Sequence, residues 1–249
     1  MVANPLEQFR IQPLLPVEAG GYNISFTNSS AWMLATIGLI LSVLLISSTR
    51  KDYIPGKLQS LGEMCYDFIA NMLSENAGHE AKKFFPFVFS LFMFILLGNA
   101  LGMIPGAFTF TSHIIVTFAL AMIVFIMVTI LGFVKHGLKF LTFFVPSGVS
   151  PFLAIIIVPI ELISYLSRPV SLSIRLFANM MAGHTMLKVF AGFSVSLGAA
   201  FGVFGYGMGV LPIVINVGLI GFEFLVAFLQ AYVFTILTCL YIRDAIELH

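Results

Sequence analysis

Between residues 140 and 242 the chain holds only five charged side chains: Glu161, Arg168, Arg175, Lys188 and Glu223. A surface that long and that poor in charge cannot face water. An ionised side chain at the centre of a bilayer costs roughly 2.5–3.5 kcal/mol even on the lenient insertion scales, so each of the five needs a reason to be there. Over all 249 residues, 9% are charged and 59% hydrophobic, against about 25% charged in a soluble domain. The solvent of this chain is therefore mostly lipid. The formal net charge of +1 gives no reason to expect a nucleic acid partner. Cys65 and Cys239 stand far apart and match neither a disulfide framework nor a metal site, so no metal and no cofactor is expected.

The apolar runs divide the chain into an all-α integral membrane protein with a single membrane domain. Residues 1–30 hold charges and prolines and read as an exposed amino-terminal arm. Residues 31–49 are a first span. In 50–83, Arg50, Lys51, Lys57, Lys82 and Lys83 alternate with Asp52, Glu63, Asp67, Glu75 and Glu80. Leu58, Leu61, Met64, Cys65, Phe68, Ile69 and Met72 recur there at three- and four-residue steps. That periodicity predicts an amphipathic helix against the membrane or a partner. Residues 84–134 form a helical hairpin around a Pro-Gly turn at 105–106, and "FFVPSGVSP" reads as an interfacial bend. The region 151–243 is then a long helix pair. Phe152 to Phe190 alone would extend about 58 Å at 1.5 Å per residue, against a hydrocarbon core of ~30 Å. It must tilt strongly, bend at Pro159 or Pro169, or run partly along the membrane. The glycine-rich stretch 191–212 is the expected turn-around. About five transmembrane helices and one surface helix result. Lys and Arg cluster after the first and third spans, which puts those segments on the cytoplasm-equivalent side and the amino terminus opposite.

The intramembrane polar residues have a pattern. Glu161, Arg168 and Arg175 are seven apart and share one helical face, with Asn179 a turn further on. Asn216, Glu223 and Gln230 are also seven apart. Packed antiparallel, these stripes would line a narrow wet path. Asn216 and Gln230 fit equally well as interhelical hydrogen-bond glue. Lys188 and Arg168 could snorkel to an interface. A buried Glu223 needs a partner, and His184, whose imidazole titrates near neutrality, is the natural one. Nine helical steps from Arg175 to His184 come to about 180°, so the arginine and the acid–imidazole pair should face different ways.

The stretches "SRPVSLSIRLFANMMAGH" and "EFLVAFLQAYVFTILTCLYI", with "LQS" at 58–60 and "GNALGMIP" at 98–105, resemble the subunit a family of F-type ATP synthases. The likeness covers nearly the whole chain and is closest to mitochondrial and alphaproteobacterial forms. Many bacterial members carry a glutamate where His184 stands and a histidine where Glu223 stands. The resemblance implies a stator subunit that does not catalyse alone, with its long tilted C-terminal hairpin set against a rotor ring of c subunits. It implies two offset half-channels that load and unload protons on the ring carboxylates. Arg175 would be the family's arginine, partner of the rotor carboxylate and barrier to leak. Asn179, Gln230 and Glu161 would be its other matched positions, and protons would load through His184 and Glu223 with Asn99. Implied partners are the c ring, b-type peripheral-stalk subunits, the F1 sector indirectly, and lipid. The membrane would be a bacterial or mitochondrial inner membrane. A self-contained proton or cation transporter is the rival class, although no internal repeat supports it.

Overall fold

The computed structural model describes residues 6–16, 18–19, 22–23, 25–49, 56–145 and 151–247. Arg50, Lys51, Asp52 and most of the expected bend at "FFVPSGVSP" lie outside the described residues. Among the described residues, five long helices carry the fold: α1 (Asn28–Thr49), α2 (Lys57–Ala77), α3 (Phe85–Gly102), α4 (Ile114–His136) and α5 (Pro151–Ile246). Four short strands precede them among the same residues, β1 (Pro13–Leu15), β2 (Glu18–Ala19), β3 (Tyr22–Asn23) and β4 (Phe26–Thr27), with β1 paired to β4 and β2 to β3, both antiparallel. Among the described residues, five helical stretches are long and apolar enough to cross a membrane: Asn28–Ser47, His79–Gly102, Ile114–Thr142, Phe152–Phe201 and Gly207–Ile246. The protein is thus all-α in its membrane part, and α5 supplies two of the five stretches.

Burial is arranged for lipid. Isoleucines, leucines and phenylalanines stand on exposed faces throughout, including Ile123, Ile126 and Ile130 on α4 and Ile155, Ile156, Ile160 and Ile163 on α5, while Thr36, Asn99, Thr117, Thr235 and Thr238 are fully buried. In hydrocarbon a polar atom finds no water, so it turns inward and bonds to the chain. The hydroxyls of Thr36, Thr117 and Thr238 donate to the carbonyls of Trp32, Ile114 and Phe234 at 2.8–3.1 Å.

The chain forms two compact units. The first comprises Met1–Leu41, Met93–His113 and Leu176–Ala231. Here α5 folds back on itself within the glycine-rich stretch. The hydroxyl of Ser194 donates to the carbonyl of Gly209 at 2.8 Å. The backbone of Gly205 lies so close to the carbonyl of Leu197 that no side chain could fit there. The amino-terminal segment joins this unit through Asn28. Its amide oxygen accepts from the backbone N–H of Gln12 and of Ser29, and its Nδ2 donates to the carbonyl of Arg10. That ties the segment just before β1 to the first turn of α1.

The second unit comprises Ser42–Phe92, Ile114–Arg175 and Tyr232–His249. It contains the amphipathic helix α2. Ile69, Met72, Leu73 and Ala77 are buried, Glu63, Asp67 and Glu75 are exposed, and Leu61, Met64 and Phe68 form an exposed apolar strip. The helix ends at Gly78, whose φ of 74° is open to glycine and strained for other residues. Phe140, Phe144 and Tyr165 make an aromatic core backed by Phe125 and Val158. The Tyr165 hydroxyl shares a 2.7 Å hydrogen bond with Thr129. The last carbonyls of α5, those of Ala245 and Ile246, both accept from Nε2 of His136 at 3.1 Å, which caps a helix end otherwise short of donors.

Arg168 is also held in this unit. Its Nη1 donates to Asp244 Oδ2 at 3.0 Å, and its guanidinium lies 5.3 Å from the ring centre of Tyr165 and 4.9 Å from that of Tyr241. The charge expected to snorkel is therefore paired across two segments of α5. Arg168→Ala should lower the thermal denaturation midpoint of the purified protein by an amount corresponding to roughly 1–3 kcal/mol. Arg168→Lys should recover only part of the loss, because an ammonium keeps the charge but not the planar stacking on two rings.

Candidate functional site

The first unit gathers most of the polar residues singled out in the sequence. Asn99 is on α3, Asn179 and His184 on the outgoing arm of α5, and Asn216, Glu223 and Gln230 on the returning arm. The arms are antiparallel, so residues equidistant from the turn meet. His184 Nδ1 and Glu223 Oε1 form a direct hydrogen bond, with His184 9% and Glu223 5% exposed. One turn or so further from the bend, Asn179 Nδ2 donates to Gln230 Oε1 at 2.8 Å. Asn99, fully buried, donates through Nδ2 to the carbonyl of Ala227, one turn beyond Glu223, at 3.3 Å. Three buried atoms of these residues have no hydrogen-bond partner among the described residues: Glu223 Oε2, Asn99 Oδ1 and Gln230 Nε2. Asn216 Oδ1 is likewise buried and unpaired, and Asn216 joins none of these bonds.

The other ring nitrogen of His184 is also engaged. Nε2 lies 2.7 Å from Thr109 Oγ1 and 3.1 Å from the carbonyl oxygen of Gly102, and the Thr109 hydroxyl donates to that same carbonyl at 3.0 Å. Phe9 of the amino-terminal segment stacks over the imidazole, ring centres 6.4 Å apart and planes 12° from parallel. His184, Thr109, Gly102, Gln8, Phe9 and Lys188 all line one cavity of about 410 Å³. Glu223 lines a different cavity of about 220 Å³, together with Asn179, Gly183 and Met186. The acid–imidazole pair is thus the link between two cavities, with the imidazole in the wall of one and the carboxylate in the wall of the other.

Gly183 makes that link possible. A Cβ built there would lie 2.6 Å from Glu223 Oε1, inside any permitted contact. The carboxylate occupies the volume a side chain would fill. Thr109, Gly102 and Phe9 were not singled out from sequence. The run Thr109, Thr111, Ser112 and His113 beside an apolar helix was a usable signal, since all but His113 are buried. Burial moves the His113 imidazole below its ordinary titration range.

The second unit holds the remaining two candidates. Arg175 is exposed and Glu161 half-buried on the outgoing arm of α5. Lys188, in the first unit, is exposed at the rim of the larger cavity.

In a polytopic helical membrane protein, ionisable side chains buried between the helices mark a functional site. The family can be stated from likeness of sequence. Residues 30–243 match the family model of the ATP synthase A chain. Over 247 residues the chain is 57% identical to ATP synthase subunit a of Rhizobium etli, covering 99% of this chain and 98% of that protein. It is 55% identical to ATP synthase subunit a 1 of Brucella anthropi, covering 99% of both. It is 56% identical over 244 residues to ATP synthase subunit a of Parvibaculum lavamentivorans. The chain belongs to the ATP synthase A chain family, and these relatives are alphaproteobacterial. A bacterial inner membrane fits this set of relatives.

Gly183→Ala should destabilise the purified protein by about 1–3 kcal/mol, as overpacking does. In a Glu223→Ala background the same change should cost little, because the displaced carboxylate is gone. Thermal denaturation of the four variants measures that coupling directly.

Proposed function

We propose that this chain is the stator half of a proton path in the membrane sector of an F-type ATP synthase. It loads protons onto carboxylates of a rotating ring of c subunits and unloads them again, and it is not catalytic alone. The observation that carries this reading is the His184–Glu223 pair between its two cavities. A proton held by the pair sits between the imidazole in the wall of the larger cavity and the carboxylate in the wall of the smaller one. It is exchanged on the carboxylate side, where Glu223 Oε2 has no competing partner among the described residues. Asn179, in the wall of the smaller cavity, bonds to Gln230 and holds the two arms of α5 together. Asn99 anchors the returning arm at Ala227. Asn216 lies two turns before Glu223 and extends the polar stripe.

Arg175 takes the second role. It stands four residues before Asn179, and it is exposed among exposed apolar neighbours, including Ile174 and Val170. A guanidinium on a lipid-depth face is costly unless a partner brings an anion. A ring carboxylate is such an anion: ionised it needs Arg175, and neutralised by a proton it can turn into lipid at low cost. Guanidinium suits a site that must stay charged, because it does not give up its proton. Its fixed charge also opposes direct proton leak. Glu161, fourteen residues earlier, would receive protons on the release side. Other partners in this reading are b-type stalk subunits, the F1 sector indirectly, and lipid. Each proton crossing contributes about 2.3 kcal/mol per 100 mV, so several are needed per ATP.

The test is a four-variant cycle in membranes containing the whole complex, read as ATP-driven proton pumping per assembled complex. His184→Glu and Glu223→His should each slow pumping. The double exchange restores one acid and one imidazole and should recover more than the two losses predict together, by roughly 0.5–3 kcal/mol of coupling. Strictly additive losses would reject the pair as one unit. For the second role, Arg175→Ala should abolish proton-driven ATP synthesis with assembly retained, and Arg175→Lys should come close to doing so. Near-normal synthesis with lysine would overturn the fixed-charge argument.

A further inference from the structure

We propose that Thr109 is a positioning residue of proton loading: with the carbonyl of Gly102 it fixes His184 as the Nε2–H form, so that only Nδ1 exchanges a proton. This rests on the proposed role of the His184–Glu223 pair. The argument is one of donors and acceptors. A carbonyl oxygen can only accept, and Gly102 O stands 3.1 Å from Nε2, so it favours hydrogen on that nitrogen; the shorter contact to Thr109 decides it. The Thr109 hydroxyl has one proton and gives it to the same carbonyl at 3.0 Å. Its oxygen, 2.7 Å from Nε2, is then left as an acceptor. Nε2–H is shared between two oxygens, each fixed by the turn that follows α3. Thr109 is 3% exposed, so water competes little for its hydroxyl.

The consequence concerns the route. A relay through the ring would need Nε2 to alternate between bare and protonated. With two oxygen acceptors fixed against it, Nε2 has no donor to meet it when bare. The mobile proton therefore passes by way of the Glu223 carboxyl: it moves between Nδ1 and Oε1, and it enters or leaves at Oε2, which has no partner among the described residues and belongs to a side chain that lines the smaller cavity. His184 becomes a one-sided base, turned towards Glu223 and held flat under Phe9. The charged groups facing His184 are Glu223 from the returning arm and Lys188, which lines the same cavity from the outgoing arm. The turn at 102–109 and the lining residues Gln8 and Phe9 bring none.

The experiment has two readouts on the assembled complex. The first is nitrogen-15 NMR of histidine-labelled complex in lipid, with the His184 signal assigned by its loss in His184→Ala. The wild type should show Nε2 protonated across the working pH range. Thr109→Val, which keeps the shape and removes the oxygen, should show a mixture of ring forms, and Thr109→Ser should restore the single form. The second is ATP-driven pumping: valine should slow it about five- to tenfold per assembled complex, and serine should bring it back to within twofold of wild type. A bare Nε2 in the wild type overturns the proposal, even if no Thr109 variant assembles. So does valine pumping at the wild-type rate, or serine doing no better than valine. Full pumping in His184→Ala would instead overturn the role of the pair, leaving the ring form of His184 still to be read from the first measurement.

Discussion

The structure depends on one constraint: a polar atom placed in hydrocarbon must find its partner within the protein. A backbone carbonyl or hydroxyl left bare at that depth costs several kcal/mol. The threonines of α1, α4 and α5 meet it locally, by bonding one turn back along their own helix. The carboxyl end of α5 meets it at distance, through His136. Asn99 meets half of it and leaves Oδ1 open. Thr36, Thr117 and Thr238 satisfy the constraint in full. Asn99, Glu223 and Gln230 each keep one buried polar atom without a partner among the described residues.

The same constraint explains why glycine appears where α5 doubles back. Two helical arms can bring a histidine and a glutamate into direct contact only if their backbones approach closely. Gly183 yields its side-chain volume to Glu223, and Gly205 lets the bend close on Leu197. Small residues are how membrane helices approach one another, since no water-driven collapse pushes them together. The depth of the pair in the protein therefore follows from two absent side chains as much as from the pair itself.

Charge is treated in two ways within the second unit. Arg168 has an acid and two aromatic rings, and its charge is used up inside the chain. Arg175, seven residues on, is exposed. Equal spacing along a helix thus conceals unequal chemistry: one arginine holds the fold, and the other presents its charge outward. The proposed function needs this difference, because a charge already neutralised within the chain could not meet a carboxylate arriving from another subunit.

Much was legible in the sequence, because composition and periodicity are enforced by the solvent. Scarcity of charge meant lipid, the apolar runs marked helices, and the three-and-four spacing of 58–72 marked α2. The glycine-rich stretch marked the turn of α5. An antiparallel fold about that turn also makes His184 and Glu223 natural neighbours, since both lie about equally far from it. What the linear pattern did not contain was anything that depends on a third segment. Phe9 lying on the imidazole, and Thr109 with Gly102 holding Nε2, are contacts between residues 175 and about 75–82 positions apart. No period along one helix encodes them. The sequence by itself determined which residues had to be helical, apolar-faced and buried in lipid, since each such preference is local to a turn or a face. Only the tertiary structure decided which nitrogen of His184 meets which oxygen, because hydrogen bonds are directional and their geometry is set when separate segments pack.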